Sequence, residues 1–206
     1  MLKSKFGKHV DSLSMAVGRF FSRFGLSPNA WTLLTLFFAL PGFMALCQRK
    51  LLAGLFFFFL SGFIDLIDGA VARASKRTSK FGAFLDGVAD RYVEFLLYLG
   101  LWFYLRDAAE FLLPNGAWML LLLFGALMPS FIRAYAHHKG LVTDPKALEK
   151  MGGLIERSER LDLLYLGMAL GYFNEIYLVY SVALIALLCH ITSMQRILFA
   201  VKDKPF

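Results

Sequence analysis

The stretch from Asp65 to Asp90, DLIDGAVARASKRTSKFGAFLDGVAD, decides how this chain folds, because it places four carboxylates inside or beside two strongly apolar segments. Burying an uncompensated carboxylate in hydrocarbon is costly. Ionisable residues within membrane segments therefore usually face the interior of a helix bundle or a wet cavity, and they mark a functional site. Four carboxylates together predict a bound cation.

The spacing of these carboxylates divides them into two pairs. Asp65 and Asp68 are three residues apart and Asp86 and Asp90 are four apart, so on helices each pair projects from one face. Oxygen-only ligands suit hard divalent ions such as Mg²⁺, Ca²⁺ or Mn²⁺, and the sequence has no cluster of cysteines or histidines nearby to bind zinc. We predict a metal site made by these aspartates, with Mg²⁺ as the preferred ion.

Small and basic residues lie between the two pairs, and they suit a bound polyanion. They are Gly69, Arg73, Lys76, Arg77, Lys80 and Gly82. Glycine permits close approach of the backbone, Arg73 can hold a diphosphate through charge-assisted hydrogen bonds, and metal ions neutralise charge as a phosphoryl group transfers. The same stretch therefore predicts a phosphate site, whereas the alternative is a purely structural cluster of ion pairs.

The composition indicates an integral membrane protein. Of the 206 residues, 58% are hydrophobic and 22 are phenylalanine, which exceeds the apolar share of ordinary soluble domains. A helix needs roughly 20 apolar residues to cross ~30 Å of hydrocarbon, and six segments meet this need, some only with flanking polar positions included. We predict an all-α integral membrane protein with six transmembrane helices preceded by an amphipathic interfacial helix.

The predicted organisation has three parts: an amphipathic juxtamembrane helix over 1–25, a six-helix membrane domain over 26–201 and a cytoplasmic tail over 202–206. The predicted spans cover roughly 28–47, 51–74, 81–105, 115–135, a fifth segment after Arg160 and a sixth from Ile176 to Arg196.

The distribution of basic residues predicts the topology. The formal charge is +7, but lysines and arginines are spread over the loops between the apolar segments and form no single stripe, which argues against nucleic acid as a partner. With both termini in the cytoplasm, 18 of the 22 lysines and arginines lie on the cytoplasmic side, as the positive-inside rule requires. We therefore predict a multi-pass protein of the cell membrane, with its catalytic stretch and both termini cytoplasmic.

The first segment has the periodicity of an amphipathic helix. Its apolar positions recur at spacings of four and three: Phe6, Val10, Leu13, Val17, Phe20 and Phe24. Basic residues on its other faces favour a leaflet of anionic lipid, so we expect the helix to lie in the membrane interface. The alternative is that it packs on the protein's own helices.

Three arginines fall at the cytoplasmic ends of the predicted fourth, fifth and sixth spans: Arg133, Arg160 and Arg196. They can line one anion pocket, or they can be ordinary positive-inside anchors. The adjacent His137 and His138 are not predicted metal ligands, because neighbours on a helix point about 100° apart. We interpret these histidines as solvated or phosphate-facing.

The carboxylate stretch resembles the signature of the CDP-alcohol phosphotransferases. That signature reads D-x-x-D-G-x-x-A-R, eight residues, then G-x-x-x-D-x-x-x-D, and every fixed position is filled here by Asp65, Asp68, Gly69, Ala72, Arg73, Gly82, Asp86 and Asp90. Upstream, Pro28-Asn29-Ala30-Trp31-Thr32 is similar to the Pro-Asn-x-x-Thr sequence of the family, and the resemblance extends from about Phe20 to Arg196.

The resemblance implies roles for individual residues. Two Mg²⁺ or Mn²⁺ ions would be bound by Asp65, Asp68 and Asp86, and Asp90 would be the general base and a ligand of the second ion. The implied CDP-lipid contacts are Asn29, Ala30, Trp31, Thr32, Asp65, Asp68, Gly69, Ala72, Arg73, Ser79 and Gly82. The family also implies a homodimer.

The resemblance is strongest to the subfamily that makes phosphatidylinositol phosphate and its archaeal ether-lipid counterpart. There, basic residues at the ends of the last three helices hold the acceptor phosphate, which assigns that role to Arg133, Arg160 and Arg196. Tyr135 and His137 depart from the basic and acidic residues of that subfamily, and the loop from Thr143 to Met151 is longer. These departures bear on the acceptor and leave the reaction class intact.

The sequence therefore predicts an enzyme that moves a lipid phosphoryl unit from a CDP-linked lipid in the bilayer to a small polar alcohol, releasing CMP. Inositol 1-phosphate is the preferred acceptor, and glycerol phosphate, serine and free inositol are the alternatives. The donor tails, diacyl or ether-linked isoprenoid, are not distinguished. A divalent-cation transporter would also bury aspartates, but Arg73 beside the ligands would repel a permeant cation. A noncatalytic scaffold is the remaining alternative.

Overall fold

The computed structural model describes residues 15–75 and 79–202, and it is helical throughout. The eight helices of the described residues are α1 (15–22), α2 (Pro28–Cys47), α3 (Leu51–Ala74), α4 (Lys80–Leu105), α5 (Asn115–His138), α6 (Pro145–Lys150), α7 (Arg157–Gly171) and α8 (Glu175–Lys202). By packing, the chain divides into two compact units, Met1–Gly100 and Leu101–Phe206. Phe6, Val10 and Leu13 of the predicted first helix, Lys76 and Arg77 of the predicted phosphate site, and residues 203–206 of the predicted tail lie outside the described residues.

Four of the described helices are long and apolar enough to cross a membrane: α2, α3, α5 and α8. This confirms the all-helical, multi-pass membrane class. The other two predicted spans do not meet the same standard, for different reasons. Helix α4 has 26 residues but carries Asp86, Asp90 and Arg91 in its first half and Glu94 just beyond it. Helix α7 has 15 residues and is about 22 Å long at 1.5 Å per residue, short of the ~30 Å hydrocarbon core.

The outer faces of the long helices are apolar, as a lipid environment requires. Phe37 of α2 and Phe56 and Phe59 of α3 are each more than 60% exposed. Contiguous apolar surface of this kind is rare on soluble proteins and marks a surface that meets membrane or another protein. Helices α2 and α3 are therefore hydrophobic on the buried and the exposed side alike, which is typical of a membrane span.

In the first unit, α2 packs along α3, and α1 packs on both. Trp31 of α2 is buried against Ile64, Ile67 and Val71 of α3, and Val17 and Phe21 of α1 pack on this cluster. A Cβ at Gly18 would collide with the backbone of Ala70, so α1 touches α3 directly. The described part of the first helix thus packs on the protein's own helices, while Phe20 and Phe24 remain exposed.

In the second unit, α5 and α7 pack against α8. Polar side chains close the connection before α5: the Asn115 amide donates to the carbonyls of Leu105 and Ala108, at 2.9 and 3.0 Å, and the Trp118 indole donates to the Phe111 carbonyl at 2.7 Å. These bonds pair the carbonyl of Leu105, the last residue of α4, and those of Ala108 and Phe111 in the connection that follows.

The long polar segment after α5 contains a short helix, α6. Asp144 caps α6 by accepting a hydrogen bond from the Lys146 amide at 3.0 Å, and Pro145 occupies the first helical position. Aspartate followed by proline is a common start of a helix. The segment that follows α6, residues 151–156, leads directly into α7 and is called the strap below.

Candidate functional site

Three of the four predicted carboxylates meet in the first unit. Asp65 and Asp68 lie on α3 and Asp86 lies on α4, and one carboxylate oxygen from each lies within 4.8 Å of the others. Asp68 is buried, and the other two are half-buried. Three carboxylates this close repel one another and are desolvated, so the arrangement favours a cation between them.

The donor set fits a hard divalent ion. All three side chains offer oxygen only, and the spread of 4.8 Å is close to twice the ~2.1 Å distance of Mg²⁺ to its oxygen ligands. Asp90 lies one helical turn beyond Asp86 and is half-buried. Within the described residues, it is not part of the three-carboxylate group, so its predicted place among the metal ligands stays a prediction.

Hydrogen bonds from α2 orient the buried carboxylate. The Thr32 hydroxyl lies 2.8 Å from Oδ2 of Asp68 and 3.2 Å from the Pro28 carbonyl. Below it, the Thr35 hydroxyl donates to the Thr32 carbonyl at 2.7 Å, and the Ser61 hydroxyl donates to the Thr35 carbonyl at 2.8 Å. This series of hydrogen bonds joins α2 to α3 and helps to hold Thr32 in place beside Asp68.

A cavity of about 190 Å³ lies beside the carboxylates. It is lined by Pro28, Asn29, Thr32, Asp68, Gly69, Ala72, Arg73, Ser79, Gly82, Ala83 and Asp86. Eight of these are predicted CDP-lipid contacts, drawn from three separate segments of sequence. We call this the donor cavity.

Two helices begin at the donor cavity. Ser27 caps α2 by accepting from the Ala30 amide at 3.2 Å, and Ser79 accepts from the Gly82 amide at 2.9 Å at the start of α4. Helix N-termini carry unpaired N–H groups and a positive dipole end, which attract phosphate. Arg73, exposed near the end of α3, adds a full positive charge to the same cavity.

Three predicted CDP-lipid residues do not line the donor cavity. The Trp31 side chain is 8% exposed and lies in the core, edge-on to Phe21 with ring centroids 5.5 Å apart. Asp65 is one of the three clustered aspartates, and Ala30 is half-buried on α2. Pro28 and Ala83, which the sequence did not single out as contacts, take their place in the lining.

A second cavity, of about 450 Å³, lies in the second unit and contains all three predicted arginines. It is lined by Ala126, Pro129, Ser130, Arg133, Ala134, His137, Leu148, Ile155, Glu156, Arg157, Arg160 and Arg196. We call it the arginine cavity. Four arginines face one glutamate there, so the cavity favours an anion.

Two of the arginines are deeply buried. Arg160 is 3% exposed and Arg196 is 7% exposed. Arg196 donates to the Pro129 carbonyl at 2.8 Å and, through Nε, to the Gly152 carbonyl at 3.4 Å. These bonds use two of its five N–H donors and join α5 and the strap to α8. Arg196 therefore shapes the cavity as well as lining it.

The strap is held to α8 by side chains. The Leu154 amide donates to Oε1 of Gln195 at 2.8 Å, and the Ile155 amide donates to the Thr192 hydroxyl at 3.1 Å. The Glu156 amide then donates to the Glu159 carboxylate at 3.0 Å, which closes the first turn of α7. These bonds place the N-terminus of α7, with Arg157 and Arg160, at the arginine cavity.

Three polar residues of this cavity were not predicted from the sequence: Ser130, Glu156 and Arg157. His137, which we interpreted with His138 as solvated or phosphate-facing, also lines it. A signal for them was present, because Ser130, Arg133 and His137 follow at spacings of three and four, and Arg157 and Arg160 are three apart. Residues at these spacings share one face of a helix.

The architecture and the site together define a class: an all-helical, multi-pass membrane protein with three clustered aspartates beside a cavity at which two helices begin. Comparison with known proteins names the family. The CDP-alcohol phosphatidyltransferase model matches residues 25–192, and the chain belongs to this family. It is therefore an enzyme, a transferase of phospholipid synthesis. The family prediction from the carboxylate signature is confirmed, and the transporter and scaffold alternatives are set aside.

Relatives of known name agree with this assignment. The chain is 31% identical over 200 residues to the archaetidylinositol phosphate synthase of Pyrococcus horikoshii, covering 97% of this chain and 96% of the relative. It is 31% identical over 172 residues to the protein of the same name from Methanothermobacter thermautotrophicus, covering 79% and 80%. It is 30% identical over 194 residues to the phosphatidylinositol phosphate synthase of Mycobacterium tuberculosis, covering 90% and 84%.

Solved structures of the Mycobacterium tuberculosis phosphatidylinositol phosphate synthase share the fold. One, in complex with manganese and citrate, matches with a TM-score of 0.79 at 27% identity, covering 94% of this chain and 93% of that one. Another, with CDP-DAG bound, matches with a TM-score of 0.76 at 28% identity, covering 92% and 94%. A divalent metal and a CDP-linked lipid are thus bound by a structural relative.

Proposed function

We propose that this enzyme transfers a phosphatidyl-type group, diacylglycerol phosphate or archaeol phosphate, from a CDP-linked lipid to a hydroxyl of inositol 1-phosphate. The observation that carries the proposal is the convergence of Arg133, Arg160 and Arg196 on one cavity. Serine and free inositol carry no phosphate and would make no charge-assisted bond to these arginines. The names of the relatives support the same acceptor.

The donor's diphosphate would occupy the donor cavity. The N-termini of α2 and α4 and the guanidinium of Arg73 would bind its oxygens. Asn29 and Ser79 would be further polar contacts for the nucleotide. When bound by Asp65, Asp68, Asp86 and Asp90, two divalent ions, Mg²⁺ or Mn²⁺, would neutralise the charge that develops as the phosphoryl group transfers.

In the transfer, the acceptor hydroxyl oxygen forms a bond to the phosphorus that carries the lipid. The bond from that phosphorus to the bridging oxygen breaks, and CMP leaves with the electron pair. Asp90 is the proposed general base that takes the hydroxyl proton. Positioning and charge neutralisation dominate phosphoryl transfer, so a carboxylate of ordinary basicity suffices.

The finer features of the membrane arrangement belong to the same proposal. Helices α4 and α7 would complete six spans, with Asp86 of α4 among the clustered carboxylates instead of in lipid. The first helix would place exposed Phe20 and Phe24 in the membrane interface. The distribution of lysine and arginine supports a cytoplasmic active site and cytoplasmic termini, and the family supports a homodimer.

The experiment is CMP release by the purified protein in detergent. CDP-diacylglycerol and CDP-archaeol are supplied separately as donors with Mg²⁺ or Mn²⁺, and inositol 1-phosphate, glycerol phosphate, serine and inositol are supplied separately as acceptors. We expect release with inositol 1-phosphate and none after chelation of the metal. Release with a different acceptor alone would overturn the acceptor assignment while keeping the reaction.

A further inference from the structure

His137 is a polar residue of the arginine cavity to which the proposed function assigns no role. It lies one helical turn after Arg133 on α5, and both residues line the cavity. The neighbouring His138 is not among the lining residues, and its ring stacks on Tyr135 with centroids 6.4 Å apart. The two adjacent histidines therefore have different surroundings.

The end of α5 fixes the backbone against which His137 packs. Gly140 has a φ of 70°, and its amide donates to the His137 carbonyl at 3.0 Å, while the Leu141 amide donates to the Ala136 carbonyl at 2.9 Å. This pair of bonds is a Schellman motif, which ends a helix at a residue in the left-handed region. Val142 follows and is buried with Ala136 in a small core.

This fixed backbone determines which nitrogen of His137 carries a proton. Nδ1 lies 3.2 Å from the Val142 carbonyl oxygen. A carbonyl oxygen only accepts hydrogen bonds, so Nδ1 donates and carries the proton. In the neutral ring Nε2 is then an acceptor, and it is the nitrogen left for a ligand.

The arginines of the cavity cannot supply such an acceptor. The guanidinium groups of Arg133, Arg157, Arg160 and Arg196 are donors only. They suit the oxygens of a phosphate but not the hydroxyl hydrogens of a polyol, which need acceptors. Among the titratable side chains that line the cavity, acceptors come from His137 and Glu156.

We propose that His137 is a specificity-determining residue whose Nε2 accepts a hydrogen bond from a ring hydroxyl of the phosphorylated polyol, while the arginines hold its phosphate. The inference rests on the proposed function and deepens it. The cavity therefore recognises two parts of the acceptor: the arginines bind its phosphate, and His137 binds one of its hydroxyls. Inorganic phosphate can make only the first of these contacts.

The test compares His137→Ala, His137→Gln and the control His138→Ala in the CMP-release assay. We expect His137→Ala to raise the KM for inositol 1-phosphate about tenfold, the usual scale of one hydrogen bond to an uncharged partner. The KM for the CDP-lipid and the inhibition constant of inorganic phosphate should stay unchanged. The Oε1 atom of His137→Gln reaches towards the position of Nε2 and should restore most of the affinity, and His138→Ala should match the wild type.

The outcomes separate this inference from the proposed function. An unchanged KM for inositol 1-phosphate in His137→Ala, with an active wild type, overturns the role of His137 alone. Equal weakening of inositol 1-phosphate and inorganic phosphate also overturns it, because His137 would then act on the phosphate or on the shape of the whole cavity. No CMP release by the wild type with inositol 1-phosphate overturns the acceptor assignment and the role of His137 with it.

Discussion

The Thr32 hydroxyl lies 2.8 Å from Oδ2 of Asp68, although the two residues are 36 positions apart in the sequence. This contact links the start of α2 to the three clustered aspartates of α3 and α4. The family resemblance implied that Thr32 contacts the nucleotide. The geometry shows that its hydroxyl also orients a proposed metal ligand. A residue that hydrogen-bonds a metal ligand usually orients that ligand and affects how tightly the site binds the ion.

We therefore expect Thr32→Ala to weaken Mn²⁺ binding roughly 10- to 100-fold, the range usual for loss of such a partner. Thr32→Ser keeps the hydroxyl and should retain most of the affinity. Titration of purified protein with Mn²⁺, followed by electron paramagnetic resonance, measures this without turnover. Ser193→Ala is the control, because it removes a buried hydroxyl of the second unit that bonds the Cys189 carbonyl of its own helix, α8. Unchanged Mn²⁺ affinity in Thr32→Ala would show that Thr32 has no such role.

Asp90→Asn tests the proposed base. The amide cannot take a proton from the acceptor hydroxyl, so we expect turnover to fall by roughly 10²- to 10⁴-fold, the usual contribution of general base catalysis. Binding of the CDP-lipid should persist, because Asp90 does not line the donor cavity. The matched control is Asp107→Asn, in an exposed pair with Arg106. Turnover equal to that of the control would discard Asp90 as the base.

Gly82→Ala tests the shape of the donor cavity. A Cβ at Gly82 would lie 3.1 Å from the Ser79 hydroxyl and 3.2 Å from Oδ1 of Asn29, whereas a Cβ at Gly87 on the same helix meets nothing within 4 Å. Both substitutions favour the helix by up to ~1 kcal/mol, so Gly87→Ala controls for that effect. We expect the KM for the CDP-lipid to rise several-fold in Gly82→Ala alone. Equal constants in both variants would contradict the proposed donor cavity.

Arg160→Gln tests the arginine cavity as the acceptor site. Charge-assisted hydrogen bonds to phosphate are about twice as strong as neutral ones, so we expect the KM for inositol 1-phosphate to rise by at least tenfold. The KM for the CDP-lipid should not change, which also checks that the variant is folded. Arg106→Gln, at an exposed arginine with a side chain 66% accessible, is the control. An unchanged acceptor KM would mean that Arg160 is only a structural anchor.

Much of the site was predictable because it depends on local spacing. The pairs Asp65–Asp68 and Asp86–Asp90 share helix faces by periodicity alone, and the cost of buried charge marks them as functional. Trp31 shows the limit of this reasoning. It sits inside the Pro-Asn-x-x-Thr sequence, yet its side chain packs on Ile64 and Val71, because a large apolar ring gains more from burial in the core than from a polar cavity.

The sequence by itself determined the helical membrane class, the carboxylate group and the identity of the three arginines, since composition and helical periodicity are local properties. Only the tertiary structure decided that Arg196 binds the Pro129 and Gly152 carbonyls, and that His137 but not His138 lines the cavity. The physical reason is that these relationships depend on which helix faces meet. That choice comes from close packing between segments far apart in the chain, such as α5 with α8, and no local pattern contains it.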